Sequence, residues 1–163
     1  MICYVIGAGE TPSEPPRPAA GDLVIAADAG LTLAHTLGMT PALTVGDFDS
    51  LGHAPAGGEI VRLPVEKDDT DMEAALKIGR ERGYRRFYLL GGTGGRPDHT
   101  YANYQLLADC ARRHEEAVLF GAGFRTAAIA DGARLTFPRG AAGTLSVFAA
   151  CGEATGVSER GVY

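Results

Sequence analysis

Tryptophan is absent from this 163-residue chain, and cysteine is confined to three distant positions, Cys3, Cys110 and Cys151. Such spacing gives neither a disulfide framework nor a metal-ligand pattern. Each cysteine sits among apolar or small residues and reads as a buried thiol. No apolar run reaches the roughly 18 residues that span a bilayer. Met1 to Ile6 has no basic segment and runs straight into a glycine turn, so it reads as a first strand and not as a signal peptide; the cytoplasm is the expected compartment. An excess of positive charge is lacking too. Fifteen Lys and Arg against 20 Asp and Glu leave a formal net charge of -5, which gives no electrostatic pull toward nucleic acid or an anionic membrane. If such a chain binds a polyphosphate, it must neutralise it locally, with a divalent cation or a few placed basic groups.

Glycine, in contrast, is plentiful, at 23 residues. Much of it falls in short clusters, which suits tight turns and close backbone approaches. Hydrophobic residues at 45% and charged residues at 21% are ordinary for a globular chain with a core. Apolar runs at Cys3 to Ile6, Leu23 to Ala26, Pro41 to Val45, Ile60 to Leu63, Tyr84 to Leu90 and Ala117 to Phe120 read as strands. Helical periodicity covers Gly30 to Leu37, Met72 to about Arg82 (capped by Thr70 or Asp71) and Tyr101 to Arg113. Pro12, Pro15, Pro16 and Pro18 make the segment after the first strand a loop. This alternation over about 120 residues predicts an α/β fold: a mostly parallel, Rossmann-like sheet with helices on both faces. Ligands of such sheets bind beyond the carboxyl ends of the strands. After about Ala127 the helical period disappears. Short strand-like pieces follow, Ala128 to Ala130, Ala133 to Phe137, Thr144 to Ala149 and Glu153 to Val157, separated by glycine turns. Residues 1–127 are therefore expected to form an α/β domain, and 128–163 the first strands of an incomplete β domain.

Three segments carry the chemistry. Gly46-Asp47-Phe48-Asp49-Ser50 puts two carboxylates two residues apart at a strand end, on one face of an extended chain. Hard oxygens of this kind suit Mg²⁺ bridging protein to phosphate; an acidic Asx turn would use the same residues. Glu66-Lys67-Asp68-Asp69-Thr70-Asp71-Met72-Glu73 is a second acidic group. A helix cap and an acidic first turn account for one or two of its carboxylates, but not for Asp68, Asp69 and Asp71 together. A nearby cation would relieve their repulsion, and Lys67 could contact a phosphate. Gly91-Gly92-Thr93-Gly94-Gly95-Arg96-Pro97-Asp98-His99-Thr100 follows the strongest strand. Gly91, Gly92, Gly94 and Gly95 allow the backbone to wrap around phosphate oxygens, and Arg96 offers a planar bidentate grip. Asp98 could orient Arg96, bind metal or take a proton. The spacing matches neither the dinucleotide fingerprint nor the Walker A pattern. His99, at a helix start, fits a structural role as well as a catalytic one and is left out of the chemical step.

These segments, with Asp28-Ala29-Gly30 and the continuation Tyr101-Ala102-Asn103, together resemble the thiamine pyrophosphokinase family, in its order and approximate spacing. The resemblance implies diphosphoryl transfer from ATP to thiamine, giving AMP and thiamine diphosphate. It also implies an α/β catalytic domain followed by a β-sandwich, and a homodimer with the thiamine site near the subunit boundary. By motif match, Asp47, Asp49 and Asp71 would be Mg²⁺ carboxylates. Asp28 and Asp68 would line the same cleft. Arg96, Asp98 and the preceding glycines would position the polyphosphate and the attacking hydroxyl, with Asp71 or Asp98 taking its proton. Thr93 and Pro97 are small departures. The family's later Ser-Asn element, which helps hold thiamine, has no counterpart among these residues. The competing readings are another Mg²⁺-dependent phosphohydrolase or nucleotidyl-transfer enzyme of similar fold, and a non-catalytic nucleotide-binding domain.

Overall fold

The computed structural model describes residues 1–47, 58–64 and 68–162. Among these residues seven strands form one sheet: β1 (Cys3–Ile6), β2 (Leu23–Ala27), β3 (Leu43–Gly46), β4 (Glu59–Arg62), β5 (Arg86–Leu90), β6 (Glu116–Phe120) and β7 (Arg125–Ala127). Three helices are described with them: α1 (Gly30–Thr36) after β2, α2 (Asp71–Glu81) after β4 and α3 (Pro97–Arg112) after β5. The spatial order is β4-β3-β2-β1-β5-β6-β7. Every pairing is parallel except the last, where β7 turns back antiparallel on β6. The chain lays down β2, β3 and β4 on one side of β1, then crosses over to β5 and β6 on the other. That reversal places a topological switch point between β1 and β5, the position at which open α/β sheets bind ligands.

Strand alternation divides the core into two layers. Cys3, Val5, Ile25, Leu43, Val45, Phe87, Leu89 and Leu119 face Met72, Ala75 and Leu76 of α2 and Leu106, Leu107 and Cys110 of α3. Gly79 brings α2 close, since a Cβ there would lie 2.9 Å from both Cys3 Sγ and Phe87 Cε1. The opposite layer joins Tyr4, Ile6, Val24, Leu90 and Phe120 to Leu33 and Ala34 of α1 and to Met39. On that layer Tyr4, Tyr88 and Phe120 run edge to face across three strands, with centroids 5.5 and 5.0 Å apart. No helix joins β1 to β2. The proline-containing loop is tied down by Tyr4, whose hydroxyl donates to Arg17 O (3.0 Å), and by Asp22, which accepts from the amides of Ile2 and Ala19.

At the far ends of α2 and α3, Arg80 bonds Glu115 (2.8 Å) and Asp109 (3.2 Å). Arg80 and Glu115 are both largely shielded, so each depends on the other for charge compensation. The clamp fixes the two helices relative to one another, and both helices present candidate site residues at their opposite, N-terminal ends.

The described residues up to 127 follow the sequence pattern closely, with three main differences. α3 begins at Pro97 and not at Tyr101. Proline suits the first helical position, where its missing N–H is no loss, so Arg96-Pro97-Asp98 is a helix start and not loop. β5 begins at Arg86, because the Tyr84 amide still closes the turn behind α2 on Gly79 O (3.0 Å). β7 lies in a segment the pattern left unassigned. The expected strands beyond Ala127 are also missing: among the described residues, 128–162 hold no strand or helix, and 131–162 are exposed throughout. Short strands need neighbours that complete their hydrogen bonding and cover one face, and no described residues supply them. No helix among the described residues is long and apolar enough to cross a membrane.

Burial pushes the Cys3 thiol up to about 12 and the Cys110 thiol up to about 11. Cys151 is exposed, against the expectation of three buried thiols. A disulfide reagent at pH 8 is therefore expected to titrate one thiol rapidly in the native chain and all three cysteines in denaturant. Fast reaction of a second native thiol would contradict the packing of β1 or α3.

Candidate functional site

The carboxyl ends of β3, β2, β1 and β5 lie side by side along one edge of the sheet, in that order. Asp47 follows β3, Asp28 follows β2, Gly7-Ala8-Gly9 follows β1, and the Gly91 to Gly95 loop follows β5. An acidic half and a glycine half thus meet across β1.

On the acidic half, Asp28 adopts a left-handed backbone, φ 47°, which aspartate tolerates better than most residues. Its amide donates to Val45 O (2.7 Å). Gly46 makes the room, because a Cβ there would stand 3.0 Å from the Asp28 Cβ. The glycine of Gly46-Asp47 is thus explained by the neighbouring strand's aspartate. Thr70 is the helix cap of α2, its hydroxyl accepting from the Glu73 amide (3.2 Å), and Asp71 occupies the first turn. Asp69 and Glu73 are engaged by Lys77, at 2.6 and 3.3 Å, so Asp69 has a structural use. Asp68 is exposed just before the cap. Phe48, Asp49, Ser50, Glu66 and Lys67 lie outside the described residues. Among the described residues no three His, Cys, Asp or Glu side chains gather closely enough to hold a metal ion. The donor chemistry of Asp28, Asp47 and Asp71, all carboxylate oxygen, is nonetheless the kind a magnesium ion takes.

On the glycine half, the β1–β5 ladder continues past both strands into their loops. Gly7 N donates to Leu90 O (2.8 Å), Gly9 N to Gly91 O (2.8 Å) and Glu10 N to Thr93 O (2.7 Å). The contact is backbone on backbone. A Cβ on Gly9 would fall 2.2 Å from Thr93 O, and one on Gly91 would fall 2.3 Å from Gly7 O. Gly30 is as tightly held, 1.9 Å from Ile6 O by the same measure. Asn103, buried on α3, donates its amide to Gly92 O (2.7 Å). The carbonyls of Gly91, Gly92 and Thr93 are therefore spent inward, on Gly9, Asn103 and Glu10. Among the described residues no backbone acceptor takes the amides of Gly94 and Gly95 outside regular structure. Thr93 is buried, and its hydroxyl has no hydrogen-bond partner among the described residues.

Arg96 and Asp98 stand exposed at the start of α3. Arg96 Nη2 and Nε bond the two carboxylate oxygens of Asp98, at 2.5 and 3.2 Å. The Arg96 guanidinium holds the Asp98 carboxyl below the ordinary carboxylate value. Of the roles open to Asp98, orienting Arg96 is the one this geometry displays. His99 follows in the first turn and is exposed.

Three residues of this framework, Gly7, Gly9 and Asn103, had no role in the sequence reading. Gly7-Ala8-Gly9 appeared only as the stop of a strand, and Asn103 only as part of a motif. The signal for Asn103 was present: it is a polar residue at helical spacing with Leu106, Leu107 and Cys110. The role of Gly7 and Gly9 depends on a loop more than 80 positions away, which local pattern cannot show.

The model for "Thiamin pyrophosphokinase, catalytic domain" matches residues 19–119, a span that contains every site residue expected from the sequence. The thiamine pyrophosphokinase of Bacillus subtilis (strain 168) is 34% identical over 91 residues, covering 52% of this chain and 42% of that protein. The crystal structure of thiamine pyrophosphokinase from Bacillus subtilis superposes with a TM-score of 0.60 at 28% identity, over 74% of this chain and 60% of that one. The corresponding structure from Geobacillus thermodenitrificans gives 0.56 at 31% identity, over 72% and 59%. The Candida albicans thiamin pyrophosphokinase, at 13% identity and a TM-score of 0.52, shares the fold alone. The chain thus spans under half of the curated relative's length and about 60% of the two bacterial structures.

Two substitutions test the loop pairing. Gly9→Ala has no room for its methyl and is expected to cost about 3 kcal/mol of stability by denaturant unfolding. Gly95→Ala meets nothing within 4 Å and suffers only from its φ of +64°, so about 1 kcal/mol is expected. Equal losses would refute the close approach. Thr93→Val keeps the side-chain shape and removes the partnerless hydroxyl. It should leave stability unchanged or raise it by about 1 kcal/mol; a clear fall in Tm would mean that the hydroxyl is bonded.

Proposed function

The chain belongs to the thiamin pyrophosphokinase family by its catalytic domain, and from that premise we propose that it takes part in transfer of a diphosphoryl group from ATP to thiamine. The single observation that carries this reading is the meeting, at the switch point, of a carboxylate row with a glycine loop whose carbonyls are turned inward. One half suits a cation and the other suits phosphate oxygens.

In the proposed reaction the thiamine hydroxyl oxygen forms a bond to the β-phosphorus of ATP. The bond from that phosphorus to the oxygen bridging the α-phosphorus breaks, and AMP leaves with the electron pair. Gly91, Gly92, Gly94 and Gly95 would cradle the polyphosphate, and Arg96, oriented by Asp98, would hold phosphoryl oxygens as charge shifts. Asp28, Lys67 and Asp68 would border the same polyphosphate. Asp47, Asp49 and Asp71 would hold Mg²⁺, which when bound offsets charge on the phosphate oxygens. The hydroxyl proton needs an acceptor. Asp71 or Asp98 is proposed to take it. Residues 128–163 are proposed to be the first part of a second, β-rich domain. A cytoplasmic homodimer remains part of this reading.

The deciding assay incubates this chain, and a version carrying the family's further β region, with ATP, Mg²⁺ and thiamine. AMP and thiamine diphosphate in equal amounts are expected from at least the longer version. Release of orthophosphate or pyrophosphate without a diphosphorylated alcohol would overturn the proposal. In the active version Asp47→Asn is expected to lower turnover by about 100-fold while leaving Tm close to the parent; a large loss of Tm with intact turnover would remove Asp47 from the metal set.

A further inference from the structure

Beside the glycine loop lies a cleft of about 340 Å³, lined by Gly94, Gly95, Pro97, Thr100, Tyr101 and Tyr104, with mostly apolar walls. The last four residues recur at positions i, i+3, i+4 and i+7 of α3 and so share one helix face. Tyr101 is 65% exposed and Tyr104 is 37% exposed. Elsewhere the aromatic rings of the sheet are consumed by packing: Tyr4 and Phe87 are buried, and Tyr88 and Phe120 are stacked edge to face. Tyr101 and Tyr104 are spared from the core, yet they stand next to the two glycines whose amides have no backbone acceptor outside regular structure among the described residues. The cleft is shallow and open to solvent, at the low end of size for ligand pockets, and has room for one ring system.

We propose that this tyrosine-walled cleft holds the planar nitrogen-heteroaromatic ring of a ligand whose phosphate end, present or about to form, lies on the Gly91 to Gly95 loop. The inference rests on the reading of that loop as a phosphate cradle and adds where the ring goes. A tyrosine face receives either a neutral base by stacking or a cationic ring by cation–π attraction. Both substrates of the proposed reaction carry a planar nitrogen ring, so the experiment separates the donor's base from the acceptor's ring.

The absence of tryptophan from the chain supplies a clean reporter. Tyr101→Trp places a sole indole on the cleft wall, at a position exposed enough to accept it. Its emission is followed during titration with an unreactive ATP analogue, with thiamine and with inorganic tripolyphosphate, each in Mg²⁺. Quenching by one ring-bearing ligand and none by tripolyphosphate is expected, and the responding ligand names the source. Tyr101→Ala and Tyr104→Ala should each weaken that ligand by roughly fivefold to a hundredfold in calorimetry and leave the affinity for tripolyphosphate unchanged. Emission that responds to neither ring ligand, or equally to tripolyphosphate, or only to protein concentration, would overturn the proposal; the last result would assign the face to contact between copies of the chain. Calorimetric binding of tripolyphosphate to the unsubstituted chain reads the cradle independently. Its absence alongside a ring response would sink the phosphate reading and leave the cleft assignment standing.

Discussion

The close approach of two backbones at the ends of β1 and β5 is the constraint on which the site depends. Three hydrogen bonds, from Gly7, Gly9 and Glu10 to Leu90, Gly91 and Thr93, carry the parallel ladder beyond the strands. Ordinary side chains would prevent it, since a Cβ on Gly9 or Gly91 would meet a carbonyl oxygen far inside contact distance. Once the ladder is extended, the carbonyls of the loop are committed inward, and the polypeptide enters α3 directly at Arg96. The loop is thereby a shaped continuation of the sheet and not a slack connection. Asn103 adds a tie from the helix to Gly92, and the Arg80 clamp at the other end of α2 and α3 keeps the two helix starts in fixed relation.

The same geometry explains why glycine is so frequent and why its uses differ. Gly30, Gly46 and Gly79 are places where another element occupies the space of a side chain: Ile6 O, the Asp28 Cβ and Cys3 Sγ respectively. Gly95, by contrast, adjoins open space and needs glycine for its positive φ alone. A composition count merges these cases. Only the three-dimensional neighbours separate a glycine that packs from one that turns.

Much of the α/β framework was legible because its signals are local. Cys3 to Ile6, Leu23 to Ala26 and Ala117 to Phe120 are buried parallel strands, read as short apolar runs, and α2 shows its inward face through Met72, Ala75, Leu76 and Gly79. The strand-end placement of Asp28, Asp47 and the Gly91 loop followed from the same pattern. What was not legible depends on distant partners. The pairing of Gly9 with Thr93 belongs to sheet order, and the order could not be deduced from periodicity. The division of work among Asp68, Asp69 and Asp71 was hidden as well, because Lys77, further along the helix, claims Asp69. Strand-like composition after Ala127 misled for a related reason: β propensity describes fit to a pleated neighbour, and the described residues there have none.

Charge gives the site its remaining logic. Arg96 is the basic side chain at the glycine loop, and its guanidinium already faces Asp98. The pair is neutral as a unit, so it offers directed N–H donors more than net positive charge. Across β1, Asp28 and Asp47 add negative charge to a chain that is already acidic. A polyphosphate approaching this edge would meet carboxylates on one side, and on the other the dipoles of the loop and an arginine already paired with Asp98. On the proposed reading, the carboxylates are useful because they take the cation that the ligand brings. They favour a polyphosphate that arrives with a divalent cation, whose charge makes the same carboxylates an anchor. Affinity for the donor should therefore be coupled to the cation far more steeply than in a cradle built from lysines, and the acidic balance of the sequence becomes part of the selectivity of the site.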